Sequence, residues 1–269
     1  MSFEEGGMVS SILRKMVKVG ELDIHYLTGG QGDPLLVIHG GSIGAIAWQE
    51  NMVELLENYT VYVPDLLGFG DSQSFEGDYF IPEMARFVDE FSHKLGLESF
   101  HLMGHSLGGG IALSYALSFP HKIKKLVLVS SMCLGREIAL WVRFLSSRVL
   151  CRAIGGTTLV ILRGVKRLAK FFYDPVEFAE PFCRASIHLG SSLTSLTEQT
   201  MVFLNRLSEI MVPTLVIWGA KDPIVPFQQA YAAAQLIPDC QVKVFDDCGH
   251  SVYRQKIPEF SRLLSVFLG

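Results

Sequence analysis

Short apolar, β-branched runs recur along the first half of the chain, and most of them are followed by a longer stretch of helical periodicity. The runs cover residues 16–19, 22–26, 35–39, 60–64, 100–104 and 125–130; runs at 214–219 and 241–245 repeat the style before a helical pattern that continues to Leu268. Leu35-Leu36-Val37-Ile38 and Leu126-Val127-Leu128-Val129 are apolar at every position. A strand with one wet face would alternate, so these strands are expected to be covered on both sides. Strands alternating with helices predict parallel pairing, while the first two runs fit an antiparallel hairpin at an edge. The expectation is an α/β fold: a mostly parallel eight-stranded sheet flanked by helices.

The rhythm breaks from Cys133 to about Arg206. This interval reads as several short helices rich in Leu, Phe and Arg, punctuated by Gly155-Gly156, Pro175 and Pro181. An interval of about seventy residues between core strands is too long for a plain loop. It is expected to form a helical cap inserted after strand six, giving a core domain of 1–132 and 208–269 and a cap of 133–207. Arg163, Lys166, Arg167 and Lys170 read as a solvated helix face. Exposed cap leucines could pair two subunits as a homodimer or touch lipid.

Composition narrows the classes. The 269 residues carry a formal net charge of −4, which argues against a nucleic-acid partner. The five cysteines are odd in number and form no C-x-x-C pair, as expected of reduced thiols. Met1-Ser2-Phe3-Glu4-Glu5 is acidic where a secretory signal is basic, and no stretch approaches the roughly 18 to 20 apolar residues of a membrane span. A cytoplasmic protein with no membrane span is expected.

Candidate chemistry begins at "LMGHSLGGG", residues 102–110. A strand feeds directly into a helical pattern there, and Ser106 sits on the turn between them. Gly104 and Gly108 lack β-carbons, so strand and helix can approach while Ser106 adopts a strained backbone. The Leu107 N–H then lies at a helix start, where developing negative charge is favoured. Serine needs a base, and His250 in "DDCGHSVY" follows a strand run; Asp222 in "WGAKDPIVP" follows another and can orient the imidazole. Gly41 in "LLVIHGGS" offers a second oxyanion donor.

The order Ser106, Asp222, His250, each beyond a strand end, resembles the α/β-hydrolase superfamily over essentially the full length. "DLLGFGDS", residues 65–72, is similar to that family's D-x-x-G-x-G-x-S loop after the fourth strand. The resemblance implies a catalytic triad of Ser106, Asp222 and His250, with Gly41 and Leu107 as the oxyanion hole. No cofactor is required.

Other residues carry plainer readings. His39 and His105 support loops, and Asp65 and Asp71 cap them. Asp246 and Asp247 lie too close in sequence to His250 to orient its ring easily. His25, His93, His101, His121 and His188 form no metal-spaced cluster.

The expected reaction is hydrolysis of carboxylic esters of small, largely apolar substrates through an acyl-enzyme. Trp141 and Phe144, with further cap phenylalanines, are candidates for the pocket, and Ser42, His105 and Ser251 flank the reactive loops. A second reading is carbon–carbon hydrolysis of 2-hydroxy-6-oxo-dienoates. "HGGSIGAIAW" resembles the H-G-G-G-P-G-A-x-x-W stretch of meta-cleavage product hydrolases, and Arg184 lies where that family's cap arginine would bind the substrate's acidic end. Ser42-Ile43 in place of Gly-Pro, His105 before the nucleophile, and Ser251 where that family commonly has Trp depart from the pattern. A non-catalytic ligand receptor on the same fold can keep the whole triad, so a third class stays open.

Overall fold

The computed structural model describes residues 11–41, 43–74, 80–146, 195 and 198–269. Eight strands form one sheet in the order β1-β2-β4-β3-β5-β6-β7-β8. β1 (Leu13–Val19) and β2 (Leu22–Gly29) make the antiparallel edge hairpin, and β2 also pairs antiparallel with β4 (Tyr59–Pro64). From β4 onward, β3 (Asp33–Ile38), β5 (Phe100–His105), β6 (Ile123–Val129), β7 (Thr214–Gly219) and β8 (Cys240–Phe245) are parallel. β1 starts three residues earlier than its apolar run, because Leu13–Lys15 lie exposed on the sheet edge and carry two positive charges.

Strand residues sort to the two faces with period two. Leu36, Ile38, Leu102, Leu126, Leu128, Val216 and Trp218 join one core with residues of α2 (Ile81–Lys94), α3 (Leu107–Ser118) and α5 (Gln228–Ala234). Leu35, Val37, Met103, Val127, Val129, Leu215 and Ile217 join the other with α1 (Gln49–Leu55), α6 (Val252–Gln255) and α7 (Ile257–Leu268). Both faces are therefore dry, which is why these strands lack alternation. α3 is buried around most of its circumference, as its sequence of Leu, Ile, Ala and Gly requires.

The chain leaves β3 through α1 to one side of the sheet, returns through α2 on the opposite face, and enters β5 on the other side of β3. In sheets of this kind ligands bind beyond the carboxyl ends of the strands where the winding reverses, which here are β3 and β5.

Beyond β6, α4 (Leu140–Ser146) lies near the start of 133–207, the interval expected as the cap, most of which lies outside the described residues. The described ends of this interval meet at Gln199, which is fully buried. Its Oε1 accepts from the Cys133 amide at 2.9 Å, and its Nε2 donates to the Gly135 carbonyl at 2.8 Å. No helix among the described residues is long and apolar enough to cross a membrane.

Candidate active site

β5 delivers Ser106 at φ 54°, ψ −115°, a conformation that costs an L-residue about 1–3 kcal/mol and persists only where the surroundings enforce it. Main-chain bonds do the enforcing. Ser106 N donates to the Val129 carbonyl at 2.9 Å, and its own carbonyl accepts from Gly109 at 3.0 Å, Gly110 at 3.3 Å and Met132 at 2.9 Å. A β-carbon at Gly104 would run into the Gly108 peptide, and one at Gly108 would run into the Ile38 carbonyl. Only glycine permits β3, β5 and α3 to converge this closely.

That convergence brings the loop after β3 against the turn. A β-carbon on Gly40 would come within 3.3 Å of Ser106 Cβ, and one on Gly41 would meet Leu107 Cδ2 at 3.6 Å. The two residues expected to supply oxyanion donors are thus neighbours. His39 holds this loop in a single tautomer: its Nε2 accepts from the Leu66 amide at 2.9 Å, leaving Nδ1–H to donate to the Gly40 carbonyl at 2.6 Å. Burial pushes the His39 imidazole below its ordinary range, in keeping with a neutral ring.

Asp65 anchors the far end of the same loop. Oδ1 accepts from the Ala45 amide at 2.6 Å, Oδ2 accepts from the Asp71 amide at 3.0 Å, and His25 Nδ1 lies 2.7 Å from Oδ2 in a buried pair. Gly44 at φ 87° and Gly70 at φ 51° leave room for the carboxylate, which a β-carbon at either would strike. The sequence suggested the capping role of Asp65 but gave no sign of its partner His25.

On the other side, Asp222 lies at the exit of β7 with its side chain fully buried. Oδ1 accepts from the Ile224 and Val225 amides at 2.8 and 3.0 Å, and Oδ2 meets His250 Nδ1 at 2.8 Å. Asp247 instead turns outward to Lys256 Nζ at 2.7 Å, a contact that holds its carboxyl below the usual range. His105 Nε2–H donates to the His250 carbonyl at 3.1 Å, and its ring packs 4.8 Å from those of His250 and Tyr253. Burial, and next the nearby His250, push the His105 imidazole well below its ordinary range.

The remaining candidates separate. Ser251 is buried at the start of α6, where its carbonyl accepts from the Arg254 and Gln255 amides at 3.0 and 3.2 Å. Trp141 is half-buried on α4, and its indole Nε1–H donates to the Pro223 carbonyl at 3.0 Å. Ser42, the Phe144 side chain and Arg184 lie outside the described residues. Cys133 and Cys248 are buried free thiols and Cys240 is half-buried; burial raises Cys133 to about 12 and the other two to about 11.

Known proteins share this architecture. The profile of the Alpha/beta hydrolase family matches residues 35–261. The 2-hydroxy-6-oxo-6-phenylhexa-2,4-dienoate hydrolase of Comamonas testosteroni is 30% identical over 275 residues, covering 94% of this chain and 96% of its own. A 2-hydroxy-6-oxononadienedioate/2-hydroxy-6-oxononatrienedioate hydrolase of Paraburkholderia phymatum is 31% identical, covering 93% of this chain and 92% of its own. A thermophilic esterase from Thermogutta terrifontis superposes with a TM-score of 0.76 at 23% identity, over 96% of this chain and 98% of its own, a likeness of fold. With a mostly parallel eight-stranded sheet and a family match over most of its length, the chain belongs to the α/β-hydrolase family.

Proposed function

We propose that the protein is a serine hydrolase acting at the carbonyl carbon of a small, largely apolar molecule. Ser106 is the nucleophile, His250 the general base and acid, and Asp222 the group that orients the imidazole. The observation that carries this reading is the 2.8 Å contact between Asp222 Oδ2 and His250 Nδ1. With Nδ1–H committed to the carboxylate, Nε2 is left as the basic nitrogen. His250 takes the Ser106 proton as Oγ bonds to the carbonyl carbon. The resulting oxyanion is held by the Gly41 and Leu107 amides, and collapse expels the leaving group with the proton from His250. Water, deprotonated by His250, then releases the acid and restores Ser106.

Carboxylic esters are the first substrate class. Support comes from the departures beside the site from the carbon–carbon hydrolase pattern, Ser251 after the histidine and Ser42-Ile43 in the oxyanion loop. The second reading is hydrolysis of a 2-hydroxy-6-oxo-dienoate, supported by relatives at 30% and 31% identity over nearly the whole chain that bear names of that kind. In both readings 133–207 is the helical cap that selects the substrate, with Trp141 and Phe144 near its root. Arg184 anchors the acidic end in the second reading.

The deciding assay compares wild type and Ser106→Ala on a short p-nitrophenyl ester and on a 2-hydroxy-6-oxo-dienoate. A higher Ser106-dependent kcat/KM on the ester supports the first reading; a higher value on the dienoate replaces it with the second. Ser106-independent turnover removes the nucleophile assignment. Arg184→Ala separates the classes further: under the second reading, loss confined to the acidic diketone is expected.

A further inference from the structure

The loop after β7 uses two consecutive peptide groups on both sides. Their N–H groups, on Ile224 and Val225, donate to Asp222 Oδ1 at 2.8 and 3.0 Å. Their carbonyls, on Pro223 and Ile224, both accept from the segment that leaves β6. Trp141 Nε1–H reaches the Pro223 carbonyl at 3.0 Å, and the Ala139 amide reaches the Ile224 carbonyl at 2.8 Å. Each peptide plane therefore joins the start of α4 to the carboxylate, whose other oxygen meets His250.

Three physical points give this arrangement a consequence. The Asp222 side chain is fully buried, so protein donors rather than bulk water set its orientation. A peptide whose carbonyl accepts a hydrogen bond is polarised into a better N–H donor, so the two chains strengthen along their length. Both carbonyls are gripped from the same short segment, so the loop cannot rotate its amides away from Oδ1 without breaking its contacts to Ala139 and Trp141. An indole that merely lined a pocket would not need its N–H directed at a main-chain carbonyl of the acid's own loop.

We propose that Trp141, together with the Ala139 amide, is a positioning residue for the triad acid, coupling the start of α4 to His250 through two hydrogen-bonded peptide units. The inference rests on the triad reading above. It assigns Trp141 a role in the chemistry transmitted through Asp222, in addition to any contact with substrate.

The test uses a fluorophosphonate, which requires no knowledge of the natural substrate. Ser106 Oγ bonds to phosphorus, the P–F bond breaks, fluoride leaves and His250 takes the hydroxyl proton, so the labelling rate rises with pH as His250 becomes neutral. Trp141→Phe keeps an aromatic ring and removes the N–H; Ala139→Pro removes the other donor. Neither changes a charge. Asp222, His105 on β5, His39 after β3, Arg254 on α6, Asp246 and the Asp247–Lys256 pair all remain.

A less firmly held carboxylate stabilises the imidazolium less. Each variant is expected to label about three- to tenfold more slowly at the plateau, with its acidic limb displaced to lower pH than wild type. A limb that coincides with wild type, or moves to higher pH, overturns the coupling whatever the plateau does. Melting temperatures establish that each variant is folded, and if one is not, the other decides. Failure of wild type to label at Ser106 overturns the triad reading and the coupling together. Normal wild-type labelling with an unmoved limb in the variants overturns the coupling alone.

Discussion

His105 Nε2–H reaches the main-chain carbonyl of His250 at 3.1 Å, and the two rings lie 4.8 Å apart. The residue preceding the proposed nucleophile thus fastens the loop of the proposed base, tying together two segments 145 positions apart in sequence. His105→Ala is expected to lower kcat about tenfold with a smaller change in KM, because it frees the base rather than the pocket. His105→Gln, which retains an N–H donor, should recover part of the loss. Steady-state kinetics of both variants on one substrate check this.

The same ring makes stability depend on pH. His39 and His105 both have imidazoles depressed below the ordinary value of 6.5, burial being the first cause for each. Their neutral forms are favoured in the folded chain, so below about pH 6.5 the unfolded chain binds more protons. Their stabilising contribution is fully present above that pH and is lost as pH falls toward the depressed folded values, by up to about 1.4 kcal/mol per pH unit for each ring. Urea unfolding between pH 7.5 and 5, in steps of about half a unit, measures the slope. In His105→Gln the slope should be shallower by one proton's worth; an unchanged slope would count against His105 as a contributor.

Asp222 and Asp247 offer a paired comparison. Asp222 is buried against His250, whereas the Asp247 side chain is 60% exposed and paired with Lys256. Asp222→Asn should reduce kcat by about 10³- to 10⁴-fold, since an amide no longer fixes the imidazole tautomer or stabilises its cation. Asp247→Asn should remain near wild type. The reverse ranking in a single assay would move the acid to Asp247.

Gly108 and Gly96 separate contact from conformation. A β-carbon on Gly108 meets the backbone of Ile38 and His39, which has no flexible end to yield, and Gly108→Ala is expected to destabilise by about 1–3 kcal/mol or more. Gly96 has φ 70° with open space around it, so Gly96→Ala should cost only the left-handed backbone penalty of about 1–2 kcal/mol. The former should also impair catalysis, because it pushes apart β3 and α3 where the oxyanion donors are proposed. Denaturation curves and kcat for the two variants test both statements.

Much of this was legible in the sequence for a specific reason. β5 and β7 are buried at every position, and Ser106 and Asp222 follow them within a few residues, whereas His250 follows β8, where exposed Gln241 and Lys243 alternate with half-buried valines. The start of β1 was hidden because an exposed edge strand needs no apolar residues at Leu13–Lys15 beyond the first. The Asp65–His25 pair and the Trp141–Pro223 bond were illegible for another reason. Their partners stand 40 and 82 residues apart, and nothing local distinguishes a histidine or indole with such a partner from one that simply packs. Trp141 was read by type as pocket lining, which its residue identity fits equally well.

The strained turn at Ser106 is held by its own main-chain N–H and carbonyl, and its side chain makes no capping bond to α3. The framework therefore asks nothing of the hydroxyl. A scaffold built this way can exchange the reactive atom at its apex while keeping the same aim, so chemical innovation at this position is uncoupled from the requirement to fold.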